Sequence, residues 1–179
     1  MLKNLKFTLK AWPAITLVTV GLCFLTTWIA GLFGITLREQ ASLAVVRKYV
    51  GFNWPFIKIL LMVLVAAPIG EELVFRLLLW KLPSSLINTL TREKFPRSCF
   101  MLHVSCFMFS AALFSAAHYL QMPFPDNAFI SLFFFGLAQC WLYRRAGGWL
   151  GVVSPMLNHF LFNLTNLVCL LAVPESWLK

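Results

Sequence analysis

The stretch from Ala11 to Leu37 contains no charged residue, and no other feature constrains the fold of this chain as strongly. It is longer than the roughly 20 apolar residues that one helical membrane crossing requires. It also exceeds the roughly 7–15 apolar residues of a secretory signal, so we expect a retained transmembrane helix. Lys3, Lys6 and Lys10 precede it, as is typical of a cytoplasmic flank.

The composition supports a membrane protein. The 179 residues are 60% hydrophobic and 12% charged, whereas soluble domains have about 45–50% apolar and about 25% charged residues. Disorder is excluded by the same figures, and five cysteines are too few for a disulfide scaffold. The net charge of +9 lies mostly beside apolar runs, where Lys and Arg set topology and attract anionic lipids. We therefore expect the lipid bilayer, and no nucleic acid, as a partner.

Further apolar runs predict an all-α, polytopic transmembrane helix bundle with about five crossings. A short interfacial helix is expected between the first two crossings, at Arg38–Asn53. Pro68 and Gly70 should kink the second crossing. The whole chain, 1–179, is expected to be one integral membrane domain. The predicted crossings are Ala11–Leu37, Trp54–Leu82, Cys99–Leu120, Asn127–Tyr143 and Trp149–Val173, and the connections include a basic stretch, Lys81–Arg97, and a glycine turn, Arg144–Gly148.

The distribution of basic residues predicts the orientation. With a cytoplasmic N-terminus, more Lys and Arg residues lie inside than outside, as the positive-inside rule requires. The inside set is Lys3, Lys6, Lys10, Lys81, Arg92, Lys94, Arg97, Arg144 and Arg145, and the outside set is Arg38, Arg47, Lys48 and Lys179.

Ionisable residues inside the predicted crossings need an explanation, since each costs about 2.5–3.5 kcal/mol at a helix centre. Glu72 and Arg76 are four residues apart and can form an ion pair that neutralises both. Glu71 then faces another direction with no cation on its own helix. We therefore interpret Glu72 and Arg76 mainly as a structural ion pair, and Glu71 as a residue that takes part in the chemistry of a functional site.

Two other crossings contain a histidine paired with another residue at the same helical spacing. Phe114 and His118 are four residues apart, and so are His159 and Asn163. If one cavity gathers them, Glu71 and His118 could activate water while His159 and Asn163 donate hydrogen bonds to an oxyanion. Peptide hydrolysis by activated water requires this combination.

In this order, the motifs resemble those of the CPBP family of intramembrane proteases, also called the Abi family. That family includes type II CAAX prenyl endopeptidases and bacteriocin self-immunity proteins. The resemblance covers about Val65 to Asn163. The motifs are Glu71-Glu72-Leu73-Val74-Phe75-Arg76, Phe114-Ser115-Ala116-Ala117-His118 and His159-Phe160-Leu161-Phe162-Asn163.

The resemblance implies an intramembrane endopeptidase with a catalytic core at about 54–173. Glu71 would be the catalytic glutamate, His118 would help it activate water, and His159 and Asn163 would form the oxyanion site. The implied substrate is a membrane-associated or C-terminally anchored protein or peptide. The short chain favours a prokaryotic member in the inner membrane, because eukaryotic prenyl endopeptidases are expected to have eight crossings.

Several alternatives remain at this level. Glu71, His118 and His159 could instead ligate Zn²⁺, although the His-Glu-x-x-His motif is absent. Asn163 could simply bridge two helices, and Phe114 is interpreted mainly as packing. The chain could also be a non-enzymatic immunity or binding protein. A proton-linked transporter is a weaker interpretation, because no internal repeat is present.

Overall fold

The computed structural model is all-α, as the sequence predicts. It describes residues 2–35, 54–91, 96–119, 129–147 and 149–172, and no strand occurs within these ranges. The predicted interfacial helix at Arg38–Asn53 lies outside the described residues.

Helix α1 (Leu2–Leu32) begins well before the predicted Ala11, so its first three turns contain Lys3, Lys6 and Lys10. With 31 residues, α1 is about 46 Å long at 1.5 Å per residue. Because the hydrocarbon core is only about 30 Å thick, the basic first turns can extend beyond it.

The second helical run is continuous from Trp54 to Thr91, and two of its segments have π-helical instead of α-helical hydrogen bonds. Ala67 donates its N–H to the carbonyl of Met62, and Leu82 donates to Leu77, both five residues back. Such π-helical segments accommodate a local disruption without ending the helix. The segments are α2 (Trp54–Leu61), π-helical Met62–Ala66, α3 (Ala67–Glu72), π-helical Leu73–Lys81 and α4 (Leu82–Thr91).

Pro68 therefore does not end the helix. The N–H that it lacks is accommodated by π-helical hydrogen bonds just before it, where the Met62 carbonyl accepts from Ala67, five residues further on. The predicted connection Lys81–Arg97 is wrong in part, since α4 extends helical structure through Thr91.

Three helices complete the bundle: α5 (Pro96–Tyr119), α6 (Phe129–Ala146) and α7 (Val153–Ala172). A single 3-10 turn, Trp149–Val152, precedes α7, so the fifth run is not α-helical from its start. Gly147 has a φ of 68° and donates its N–H to the Tyr143 carbonyl at 3.0 Å. This left-handed residue ends α6. The predicted glycine turn, Arg144–Gly148, is confirmed at Gly147, whereas Arg144 and Arg145 are still helical and Gly148 lies outside the described residues.

Helices α5 and α6 approach closely at Gly136. A Cβ at that position would lie 3.0 Å from the Cα of Ala111, so a larger residue would require the two helices to move apart by a few tenths of an ångström. The close approach brings Phe114 and Phe135 into one buried apolar cluster with Phe162. This cluster forms the apolar wall behind the polar residues described below.

Helix α1 packs against α6 and α7. The Asn4 amide donates to the carbonyl of Ala146 at 2.9 Å, and Phe7 contacts the ring of Trp141 with centroids 5.4 Å apart. The lysine-rich end of α1 therefore lies beside the end of α6 that contains Arg144, as the predicted topology requires.

Two helices in the described ranges meet the length and hydropathy expected of a membrane span, Lys3–Leu32 and Met101–His118. Large apolar side chains such as Leu17 and Phe24 point outward from α1, which suits contact with lipid. The count of five crossings remains a prediction.

Candidate active site

The three residues singled out for chemistry meet at one point inside the bundle. Glu71 lies near the end of α3, His118 in the last turn of α5, and His159 on α7. Glu71 Oε2 is 3.5 Å from His118 Nε2 and 3.8 Å from His159 Nε2. The tertiary structure thus brings two imidazoles to one carboxylate oxygen.

Both imidazoles are held by their other ring nitrogen. His118 Nδ1 donates to the Phe114 carbonyl at 2.9 Å, one turn back in α5. His159 Nδ1 donates to Glu72 Oε1 at 2.9 Å. A neutral imidazole with its proton on Nδ1 has a lone pair on Nε2. Both Nε2 atoms are therefore available to exchange a proton with Glu71 or with a water beside it.

The predicted ion pair between Glu72 and Arg76 is confirmed. Arg76 Nε lies 3.1 Å from Glu72 Oε2, and both side chains are fully buried. Burial of two charges is tolerated because they compensate each other and make further polar contacts. The other oxygen of Glu72 accepts a hydrogen bond from His159. The ion pair is therefore in direct contact with a residue of the candidate active site.

The ring of Phe114 contacts both imidazoles and the guanidinium of Arg76. Its ring centroid lies 4.7 Å from that of His118 and 5.8 Å from that of His159. The Arg76 guanidinium is also over this ring, 4.7 Å from the centroid. The packing role predicted for Phe114 is therefore packing within the site itself, and its cation–π contact helps stabilise the buried arginine.

Exposure differs sharply across the site. The side chains of Glu71 and His118 are 27% and 29% exposed, whereas that of His159 is 5% exposed and that of Glu72 is fully buried. Glu71 and His118 thus form a partly exposed edge of the site, whereas His159 and Glu72 form its buried interior.

Asn163 donates its amide to the Val63 carbonyl at 2.8 Å, across from α7 to the first π-helical segment. In the π register, the backbone partner of Val63 would be the N–H of residue 68, which is Pro68 and has none. In the α register its partner would be Ala67, whose N–H is directed to Met62. Asn163 therefore supplies the donor that the backbone lacks, which supports the helix-bridging alternative for this residue.

Some site residues have no signal in the motifs. Phe135 packs 5.2 Å from the ring of His159 and 4.4 Å from that of Phe162, although it belongs to none of the three motifs. Ser110 accepts a hydrogen bond from Arg76 Nη1 at 3.4 Å. Its position one turn before Phe114 on α5 was the only clue available in the sequence.

A protein-bound metal ion needs several ligands around one point. Within the described ranges, no group of three or more His, Cys, Asp or Glu residues is arranged so that it could hold a metal ion.

The fold and the site together define a helical membrane protein whose interior gathers a carboxylate and two imidazoles. A family model for Rce1-like type II CAAX prenyl endopeptidases matches residues 53–165. The chain belongs to this family of membrane proteases, which confirms the resemblance drawn from the motifs. The matched segment includes every site residue named above and excludes α1. No curated protein and no solved structure matches the chain.

Proposed function

We propose that this protein is an intramembrane endopeptidase in which Glu71 activates a water molecule for attack on a peptide bond. One observation supports this above all others: the Nε2 atoms of His118 and His159 lie within 4 Å of the same oxygen of Glu71. A carboxylate flanked by imidazole lone pairs can pass a proton between water and a leaving group.

In the proposed reaction, water binds beside Glu71 and His118 at the open edge of the site. Glu71 takes one proton as the water oxygen forms a bond to the carbonyl carbon. The carbon–nitrogen bond then breaks, and the proton moves to the departing amine. The products are a carboxylic acid, which keeps the second water proton, and an amine, so the atoms balance with one water consumed.

The intermediate carries a negative charge on the former carbonyl oxygen, and the proposal assigns its stabilisation to His159 and Asn163. Because His159 already donates its Nδ1–H to Glu72, its Nε2 can donate only when the ring carries a second proton. Asn163 would contribute the amide hydrogen that is not bound to Val63.

The proposed substrate is a membrane-associated protein or peptide cut near an anchored C-terminal region. The matching family is described as type II CAAX prenyl endopeptidases, and this name supports the proposal of such a substrate. The exposed edge at Glu71 and His118 offers an approach for such a segment. A prokaryotic inner membrane and a cytoplasmic N-terminus are part of the same proposal.

The test is cleavage of farnesylated and unmodified CAAX peptides by the purified protein in lipid nanodiscs. We expect hydrolysis by the wild type and none by Glu71→Gln, which removes the proton acceptor but preserves side-chain size. An unchanged unfolding temperature shows that the variant is folded. Full activity in Glu71→Gln contradicts the mechanism. If cells that express Glu71→Gln are still protected against a peptide toxin, the protein is an immunity protein instead.

A further inference from the structure

Outside the proposed active site, six side chains have a buried polar atom without a partner among the residues that the structure describes. Two of them, Trp12 and Thr16, lie on α1, and the other four are close to the active site. They lie where α6 and α7 meet the second π-helical segment. In a well-packed protein such atoms are rare, and each requires a bound group or water to satisfy it. The four atoms are Trp80 Nε1, Gln139 Nε2, Tyr143 Oη and Asn158 Oδ1.

These four side chains comprise two contacting pairs on adjoining turns of α6, which together are called the cluster. Asn158 Nδ2 donates to Gln139 Oε1 at 3.2 Å, which joins α7 to α6. Tyr143 lies one turn beyond Gln139 on α6, and its ring meets Trp80 edge-on with centroids 5.3 Å apart. Exchanging the oxygen and nitrogen of both amides still leaves one donor and one acceptor unpaired.

The chemistry of the unpaired atoms identifies the ligand class. The Trp80 indole and the Gln139 amide offer N–H donors, Asn158 offers an acceptor, and the Tyr143 hydroxyl can act as either. Unpaired N–H donors disfavour a cation, and the Asn158 oxygen disfavours an anion. A small neutral molecule that both donates and accepts fits this set. Water is such a molecule, and buried waters typically make two to four such bonds.

The cluster adjoins the buried ion pair. Cys140 follows Gln139 on α6, and its Sγ lies 3.9 Å from the Ser110 hydroxyl, to which Arg76 also donates. Asn158 directly precedes His159 on α7. In the other direction, Tyr143 leads to the basic end of α6. The cluster therefore lies between the basic end of the bundle and the Glu71 site.

We propose that Trp80, Gln139, Tyr143 and Asn158 hold internal water, and that this hydration site supplies the water consumed at Glu71. The existence of the hydration site depends only on the buried polar atoms. The supply role rests on the proposed function, because a hydrolase inside a membrane needs water at a place where lipid excludes it.

The hydration site is tested by X-ray hydroxyl-radical labelling of the full chain in lipid nanodiscs, which modifies side chains next to bound water. Rates are normalised to the intrinsic reactivity of each side chain. We expect Trp80 and Tyr143 to label several-fold faster than Phe56, which is also buried but lies in an apolar cluster. Equal, slow labelling of all three overturns the proposal without reference to proteolysis.

The supply role is tested with Tyr143→Phe, which removes only a hydroxyl group. We expect slower labelling of Trp80, and a lower kcat for peptide hydrolysis with an unchanged KM. A kcat equal to that of the wild type refutes the supply role, whereas the existence of the hydration site is decided by the labelling rates alone. If Glu71→Gln is fully active, the proposed function is wrong, but the labelling rates still show whether the hydration site exists.

Discussion

Glu72 accepts a hydrogen bond from His159 Nδ1 at 2.9 Å while its other oxygen pairs with Arg76 at 3.1 Å. One buried carboxylate therefore neutralises an arginine on its own helix and orients an imidazole on α7. The ring of His159 is turned so that Nε2 faces Glu71. A carboxylate that fixes the tautomer and direction of a histidine in this way would be a positioning residue for the proposed reaction.

We predict that Glu72→Leu and Arg76→Leu each lower the free energy of unfolding by about 3–5 kcal/mol, because each leaves a buried charge unpaired. The double variant should regain part of that stability but remain inactive, since His159 lacks its acceptor. Unfolding in detergent and peptide cleavage measure the two effects. A double variant less stable than both single variants contradicts the prediction.

His118→Ala should lower kcat by about 100-fold to 10,000-fold, the range for loss of a general acid or base. His103→Ala is the matched control, because His103 lies on the same helix α5 but belongs to no motif. It should retain wild-type activity. Equal losses in the two variants, measured with the same peptide, would show that His118 acts only through helix stability.

Pro68 and Asn163 should be energetically coupled. Asn163→Ala leaves the Val63 carbonyl unpaired, and we expect a loss of about 1–3 kcal/mol in unfolding free energy. In a Pro68→Ala background, residue 68 regains an N–H that can reach this carbonyl, so the same change should cost less. A double-mutant cycle of thermal unfolding measures the coupling. Strict additivity would show that Pro68 does not create the need for Asn163.

Removal of metal should leave activity unchanged. The proposed steps use only protein groups and water, so EDTA treatment followed by dialysis is expected to preserve kcat. Zinc content is measured on the same samples. Activity that disappears with EDTA and returns with Zn²⁺ would instead identify Glu71, His118 and His159 as metal ligands.

Contacts within one helix were predictable from the sequence. The ion pair between Glu72 and Arg76 follows from a spacing of four residues, because that spacing places two side chains on one helical face. The convergence of Glu71, His118 and His159 was expected only through the family resemblance and the cost of isolated polar groups in lipid. The motifs held no signal for Phe135, since its contact with His159 depends on how α6 is rotated.

By itself, the sequence determined that this chain is an all-α membrane protein with a few interior polar residues, because hydrophobicity and helical spacing are local properties. Only the tertiary structure decided that Glu72 holds His159 and that Asn163 binds the carbonyl left free by Pro68. The physical reason is that these bonds join residues about 90 to 100 positions apart. Their geometry depends on helix rotation, on the π-helical register and on the close approach of α5 to α6 at Gly136.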